Sequence, residues 1–516
     1  MRGSAILFGF LLMAGCGGPS TSTDRRTIID SRDNYDPRSL DPALSTDVPT
    51  GRAVAYVFDG LTRFTPEARV EPALAERWDV SPDGARYVFH LRSGVSFTDG
   101  TPMSARLVVS SWTRALDPKT KGGAAQALQP IRGAAEFADG KATTVTGLSA
   151  PDDSTVVVQL AQPLGIFPKL LAMPAAAIVP PNMSADKPVG TGPWRLVQWK
   201  HDDYLLFVRN DKYWGGAPKS DSLMARIIAE PSTGVAEFES GSVDVLRIPE
   251  GDVSVWQDDE SKKDMLQSVP ALILVYIGMN TTRGPLKDPR VRQAINLAID
   301  RRLILQRLVS GRGRLAAGVI PPSLDGADTL RAPYPYDTLR ARQLLREAGF
   351  PNGIDIDLWV GSNPVYGRIA ETAQAYLKVV GIRAKIVQRE SAAAREAARK
   401  GQADMILKDW YADYPDAENF LYPLLHSTNA GPGGNVSFFA NADFDRVVDA
   451  ARREPDEAKR TTLYRQADSL AFLQAPMVFL WFYTELYAVQ PWISGFKAPV
   501  IFNGQRWLDV SLVRRP

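Results

Sequence analysis

Two hydrophobic periodicities alternate along the whole chain with no repeat of fixed length, and this restricts the fold more than any other feature. In "RYVFHLRSGVSF", Tyr87, Phe89 and Leu91 take every second position, the spacing of a half-buried strand, which puts His90 on the opposite, solvated face. "STVVVQLAQP" (154–163) reads the same way and ends at Pro163. By contrast, "KDPRVRQAINLAIDRRLILQRLV" sets Val291, Ile295, Ala298 and Arg302 at helical spacing, with Asp288 as N-cap and Pro289 at the first helical position. The whole run reads as helix. "YDTLRARQLLREAGF" predicts a further helix, capped by Asp337 and stopped at Gly349. Intermixed signals of this kind predict an α/β architecture. A chain of 516 residues, 45% hydrophobic and 23% charged, exceeds one ordinary core, so two or three domains are expected.

Cys16 is the only cysteine, which excludes disulfides within the chain and cysteine-rich metal sites. It follows the apolar run "AILFGFLLMAG", with Arg2 ahead of it. A membrane-spanning helix needs roughly twenty residues, so this run is too short to span but suits a secretory h-region. With Ala14 and Gly15 before the cysteine, the segment resembles a bacterial lipoprotein signal: residues 1–15 removed, Cys16 lipidated, and 16–23 a small, polar tether. An ordinary cleaved signal with a chance cysteine is the alternative. No later segment reads as spanning. The mature protein is expected to be soluble in bulk and anchored by its end.

Sixty Lys and Arg against 58 Asp and Glu leave a formal +2 without long single-sign runs, which gives no electrostatic case for nucleic acid. His90, His201 and His426 are scattered, and G-x-S-x-G, G-x-x-x-x-G-K-[ST], G-x-G-x-x-G and H-E-x-x-H are all absent. Neither catalysis, nor a metal, nor a cofactor is expected. The densest chemistry is "DWYADYPDAENF" (409–420), with four carboxylates, Asp409, Asp413, Asp416 and Glu418, among four rings, Trp410, Tyr411, Tyr414 and Phe420. Pro415 prevents one regular helix there. On residues alone, a solvated acidic loop with its rings in the core is the simpler reading.

Seven blocks, in order, resemble the oligopeptide/dipeptide-binding family of ABC-transporter solute-binding proteins (family 5). They are "SLDPALSTDVPTGRAVAYVFDGLTRF" (39–64), "PALAERWDVSPDGARYVFHLRSGVSFTDGTPMSA" (72–105), "GTGPWRLVQWKHDDYLLFVRNDKYWGG" (190–216), "YIGMNTTRGPLKDPRVRQAINLAIDR" (276–301), "YDTLRARQLLREAGF", "WYADYPDAENF" and "PWISGF" (491–496). The resemblance implies two lobes that close by a hinge over a central cleft, plus an extra domain. Residues 24–59, 181–274 and 489–516 would form one lobe, 275–488 the other and 60–180 the extra domain, with chain crossings near Val275–Asn280 and Ala488–Pro491.

The same resemblance implies the site. Asp413 would meet a peptide's ammonium group, with Trp410 as an aromatic wall. Thr46, Asp47 and Val48, and Asp409 to Tyr411, would be short strands pairing with the ligand main chain from either side. Some peptide binders carry a base three positions before the tryptophan for the ligand carboxylate; here that position is Leu407, and the nearest base, Lys408, would substitute as a ligand contact or else face solvent. Asp416 and Glu418 are read as turn and cap residues, and His426 as structural. The expected partners are a peptide, an ABC permease and, through the lipid anchor, a membrane, for a monomer on the periplasmic or outer side. Relatives that bind nickel chelates, haem, opines or sugars keep a non-peptide solute open. A peptide sensor or chaperone, and a secreted hydrolase using Asp413 with Asp416, are further alternatives.

Overall fold

The computed structural model describes residues 27–513; the expected signal segment, Cys16 and the tether lie outside the described residues. Eleven strands form one mixed sheet: β1 (Thr27–Asp33), β2 (Trp194–Lys200), β3 (Tyr204–Arg209), β4 (Ser222–Ile227), β5 (Val245–Arg247), β6 (Leu266–Met279), β7 (Gly313–Leu315), β8 (Ile354–Val360), β9 (Ile382–Gln388), β10 (Met405–Tyr411) and β11 (Met477–Val489). Their spatial order is β9-β8-β10-β6-β11-β5-β1-β4-β3-β2, with β7 paired to β11 beside this path. Two long strands hold the halves together. β6 and β11, of 14 and 13 residues, pair antiparallel along their length, and the register shifts between Pro270 and Leu274. The expected crossings at Val275 and Ala488 fall within these strands.

β6 reads as a continuous apolar run because both its faces are covered. Val275, Ile277 and Met279 belong to one core and Leu274 and Tyr276 to another, as strand alternation requires. These two cores draw on residues 272–482. A third gathers distant segments, from Ile28 through Trp194 and Leu223 to Trp507. A fourth lies almost wholly within 61–178, where Ala75–Val80, Arg86–Leu91, Thr155–Gln159 and Leu148–Ser149 form a separate antiparallel sheet. Tyr87, Phe89 and Leu91 are buried there, and His90 on the other face meets Asp79 at 2.8 Å.

The helices that matter for the site are α1 (Val48–Val57), α2 (Pro289–Ala298), α3 (Arg301–Leu308), α4 (Thr338–Glu347), α5 (Pro364–Val379) and α6 (Glu418–Leu425). Asp288 caps α2 with Pro289 in its first turn, and Asp337 caps α4, whose Gly349 follows at φ +91°. The single run read from Asp288 onward is corrected: the helix breaks at Ile299, and Asp300 caps α3 by accepting from the Leu303 amide. An aspartate at that point bonds the backbone as a cap more favourably than it continues a helix. Among the described residues, no helix is long and apolar enough to cross a membrane.

Candidate functional site

Two cavities meet where the sheet halves join. The larger, about 610 Å³, reaches from Thr46, Asp47 and Val48 across to Tyr411, Ala412 and Asp413. A smaller one of about 200 Å³ opens beside it and shares Arg32, Arg247, Ile273, Tyr411 and Glu485 with it. A third, about 650 Å³, lies between residues 126–173 and 399–453 and touches the first at Gln126, Met173 and Asp413.

Asp413 therefore stands at a junction. Its amide donates to Asn419 Oδ1 at 2.9 Å and its carboxylate sits 3.5 Å from Asn419 Nδ2, both from the first turn of α6. It forms no ion pair with any described residue. Its side chain is exposed to solvent at the cavity wall, and the protein packed around it raises its carboxyl above the usual range, against the smaller pull of Asn419.

The strand before it is open on one edge. β10 pairs with β6 as far as Tyr411, opposite Ile273, but its pairing with β8 stops at Leu407. Asp409 to Tyr411 thus have one edge without a partner strand among the described residues. Alternation sends the side chains to different places. Asp409 accepts from the Tyr366 hydroxyl at 2.8 Å and lines the small cavity, which Tyr411 also lines. Trp410 faces the third cavity instead. Lys408 lies on the Trp410 face, its Nζ 5.8 Å from the Tyr276 and Trp410 rings, and lines none of the three cavities. Burial lowers its pKa to about 8.

Opposite, Thr46 to Val48 do not form the expected strand. Asp47 is extended (φ −139°, ψ 163°), but its side chain caps α1 by accepting from the Thr50 amide at 2.9 Å, and Val48 already begins that helix. An aspartate followed by V-P is a helix start, with Pro49 supplying a helical φ and needing no donor. The expected solvated character of Asp416 and Glu418 is also corrected. Both are buried: Asp416 pairs with Lys169 at 2.6 Å and accepts from the Glu418 amide, while Glu418 meets Arg452 at 2.8 Å and accepts from the Tyr414 hydroxyl. Asp416 does not share the main cavity with Asp413. His426 is buried beside Thr428.

Sequence reasoning missed the charged floor of the cleft. Arg32 is forked onto Asp30 at 2.7 and 2.8 Å, Arg52 pairs with Asp33, and Arg247 pairs with Glu485 at 2.9 Å. Burial opposes ionisation of Glu485, but Arg247 and the Tyr487 hydroxyl outweigh it and hold its pKa below the usual range. No local pattern announces these pairs, since Arg247 and Glu485 are 238 positions apart.

Two sheet halves joined by a pair of long strands, with a cavity between them, are the arrangement of a two-lobed solute-binding protein. The model of bacterial extracellular solute-binding proteins, family 5 (middle region), matches residues 69–432, and the chain belongs to that family. It is 31% identical over 469 residues to heme-binding protein A of Haemophilus influenzae, covering 86% of this chain and 84% of that one. It is 32% identical over 457 residues to the glutathione-binding protein GsiB of Escherichia coli, covering 85% and 86%. Among solved structures, the periplasmic binding protein DppA of Helicobacter pylori in complex with the peptide STSA superposes with a TM-score of 0.77 at 28% identity, covering 95% and 99%. The two-lobed α/β fold expected from the sequence is the one the chain adopts.

Proposed function

We propose that the protein captures short peptides with a free N-terminus in the cleft between its lobes and delivers them to an ABC permease. The carrying observation is the pairing of Asp413, a carboxylate that lines the cavity with no salt bridge to any described residue, with the open edge of β10 just before it. An extended ligand adds to that edge through main-chain bonds and ends with its ammonium on Asp413. Thr46 and Asp47 face it across the cavity, and Trp410 walls the side beyond Asp413. The glutathione-binding and peptide-bound relatives support a peptide-like solute. The separate cores support the domain division given above, with 275–488 as one lobe and 60–180 as the extra domain. Lipidation at Cys16 and a monomeric state on the outer side of the membrane complete the reading. Binding and release are its whole chemistry.

Native mass spectrometry of the protein without its first fifteen residues, followed by denaturation, identifies any retained solute. Short peptides are expected, and a single non-peptide solute, such as a tetrapyrrole, overturns the reading. Asp413→Asn is expected to weaken peptide binding about a hundredfold, the loss of one charge-assisted bond. It acts oppositely on the empty protein. Folding raises the Asp413 pKa, so the ionised carboxyl destabilises the ligand-free fold at pH values above the unfolded pKa, and that penalty fades as pH falls through the folded pKa. The ligand-free variant is therefore expected to melt higher than wild type at pH 7, with the difference vanishing in acid. Peptide affinity in wild type is expected to fall with pH over the same window, as the anchor loses its charge.

A further inference from the structure

The extra domain proposed for residues 60–180 meets its two neighbours in different ways. To the lobe that includes the C-terminal segment it is fused. Phe64 and Ala172 share a small core with Ile501, the Asn503 amide donates to the Ala172 carbonyl at 3.2 Å, and Arg63 donates to the Tyr213 hydroxyl at 3.0 Å. Against the lobe of residues 275–488 it only rests. From that lobe its apolar core takes the half-buried Tyr414 alone, and the 650 Å³ cavity lies in the seam. The remaining contacts are polar: Lys169 pairs with Asp416 at 2.6 Å, and the Gly165 amide donates to the Arg452 carbonyl at 3.2 Å. A seam of that kind parts at little cost in exposed apolar surface.

The approach across this seam, and nothing else, requires glycine at 165. A Cβ there would stand 2.6 Å from Arg460 Nη1 and 2.7 Å from the Glu454 carbonyl oxygen, both on the facing lobe. Neither atom can retreat, because Arg460 is buried and its Nη1 donates to the Glu454 and Pro455 carbonyls at 2.9 and 3.3 Å. Yet φ at Gly165 lies outside the left-handed region, so the loop itself would carry a side chain without strain. Gly165 lines none of the three cavities and touches no solute held in them.

We infer that the extra domain is a clasp: as the cleft closes, Gly165 lands on the stretch from Arg452 to Arg460 and Lys169 on Asp416, and this contact retains the solute by slowing reopening. A contact present in the closed form and absent from the open one shifts the balance towards closure by its own free energy. The clasp adds no contact to the solute, so it acts alike on every solute. The inference rests on lobes that close over a ligand and not on the peptide reading above.

The test is Gly165→Val, with Gly165→Ala as the milder step, on protein stripped of solute and refolded. The stripped variants are expected to melt within about 2 °C of wild type, because the open form leaves position 165 unobstructed. In stripped wild type the amides around Gly165 are expected to exchange freely with solvent. With Ala-Ala-Ala as the probe in stopped flow, Gly165→Val is expected to release peptide about tenfold faster than wild type, with association little changed. Gly165→Ala falls between, and the same ratio recurs with Ala-Phe-Ala. A stripped Gly165→Val that melts several degrees lower, or protected amides at Gly165 in stripped wild type, means a permanent seam and overturns the inference. An unchanged release rate, or a ratio that differs between the two peptides, overturns it as well. If neither peptide binds wild type, the peptide reading falls, and the exchange and melting results decide the clasp by themselves.

Discussion

Asp59→Ala is expected to lower stability by about 3–5 kcal/mol, because it leaves the Arg506 guanidinium buried without its counter-charge. Asp59 and Arg506 are 1% and 6% exposed and form an ion pair. Arg506 is held further by the carbonyls of Ala55 at 2.8 Å and Phe58 at 3.1 Å, so it cannot turn out to water. Asp59 is also the acceptor for Trp214 Nε1 at 2.9 Å, the Thr191 hydroxyl at 3.2 Å and the Tyr213 hydroxyl at 3.3 Å. One carboxylate thus ties the chain near residue 59 to segments near 200 and 506, the three stretches proposed above to assemble one lobe. Asp59→Asn keeps the volume and part of the hydrogen bonding, and is expected to cost clearly less than alanine. Urea unfolding midpoints for the two variants check this: equal and small losses would mean that the pair contributes packing and little charge.

The same arrangement explains what could and could not be read from the residues. Features whose partners are close in sequence were legible. The caps Asp288 and Asp337 bond amides two and three positions on, and the Tyr87, Phe89, Leu91 alternation reports a face that is buried whatever covers it. The break before Asp300 was equally local, but the apolar spacing of Val291, Ile295 and Ala298 concealed it, and a cap competes with such a pattern only once the chain has reason to turn. Asp416 and Glu418 look like solvated acids because their cations, Lys169 and Arg452, lie 247 and 34 positions away. Asp413 and the edge of β10 were singled out through the family's sequence blocks, whereas the reason the edge is open, the early end of β8 pairing at Leu407, is a matter of register.

Lys169→Met is expected to cost about 3 kcal/mol, more than Asp416→Asn, because of which charge each leaves behind. Asp416 is 4% exposed, so without Lys169 its carboxylate is stranded; Lys169, whose side chain is a quarter exposed, can swing its ammonium into water when Asp416 is neutral. The double variant Lys169→Met with Asp416→Asn is accordingly expected to recover much of the loss. The consequence extends to binding, since Lys169 lies in the extra domain proposed above for residues 60–180 and reaches across to the loop that carries Asp413, also donating to the Pro415 carbonyl at 3.2 Å. Tyr414 packs against the apolar core of that same domain. On the proposed reading of Asp413 as the ammonium anchor, loosening this brace is expected to reduce the preference for a free over an N-acetylated peptide several-fold. Calorimetry with the two peptides on Lys169→Met separates positioning from mere stability. A lower melting temperature with an unchanged preference would make the pair structural, whereas a reduced preference restored in the double variant would show that the extra domain sets the geometry of the anchor.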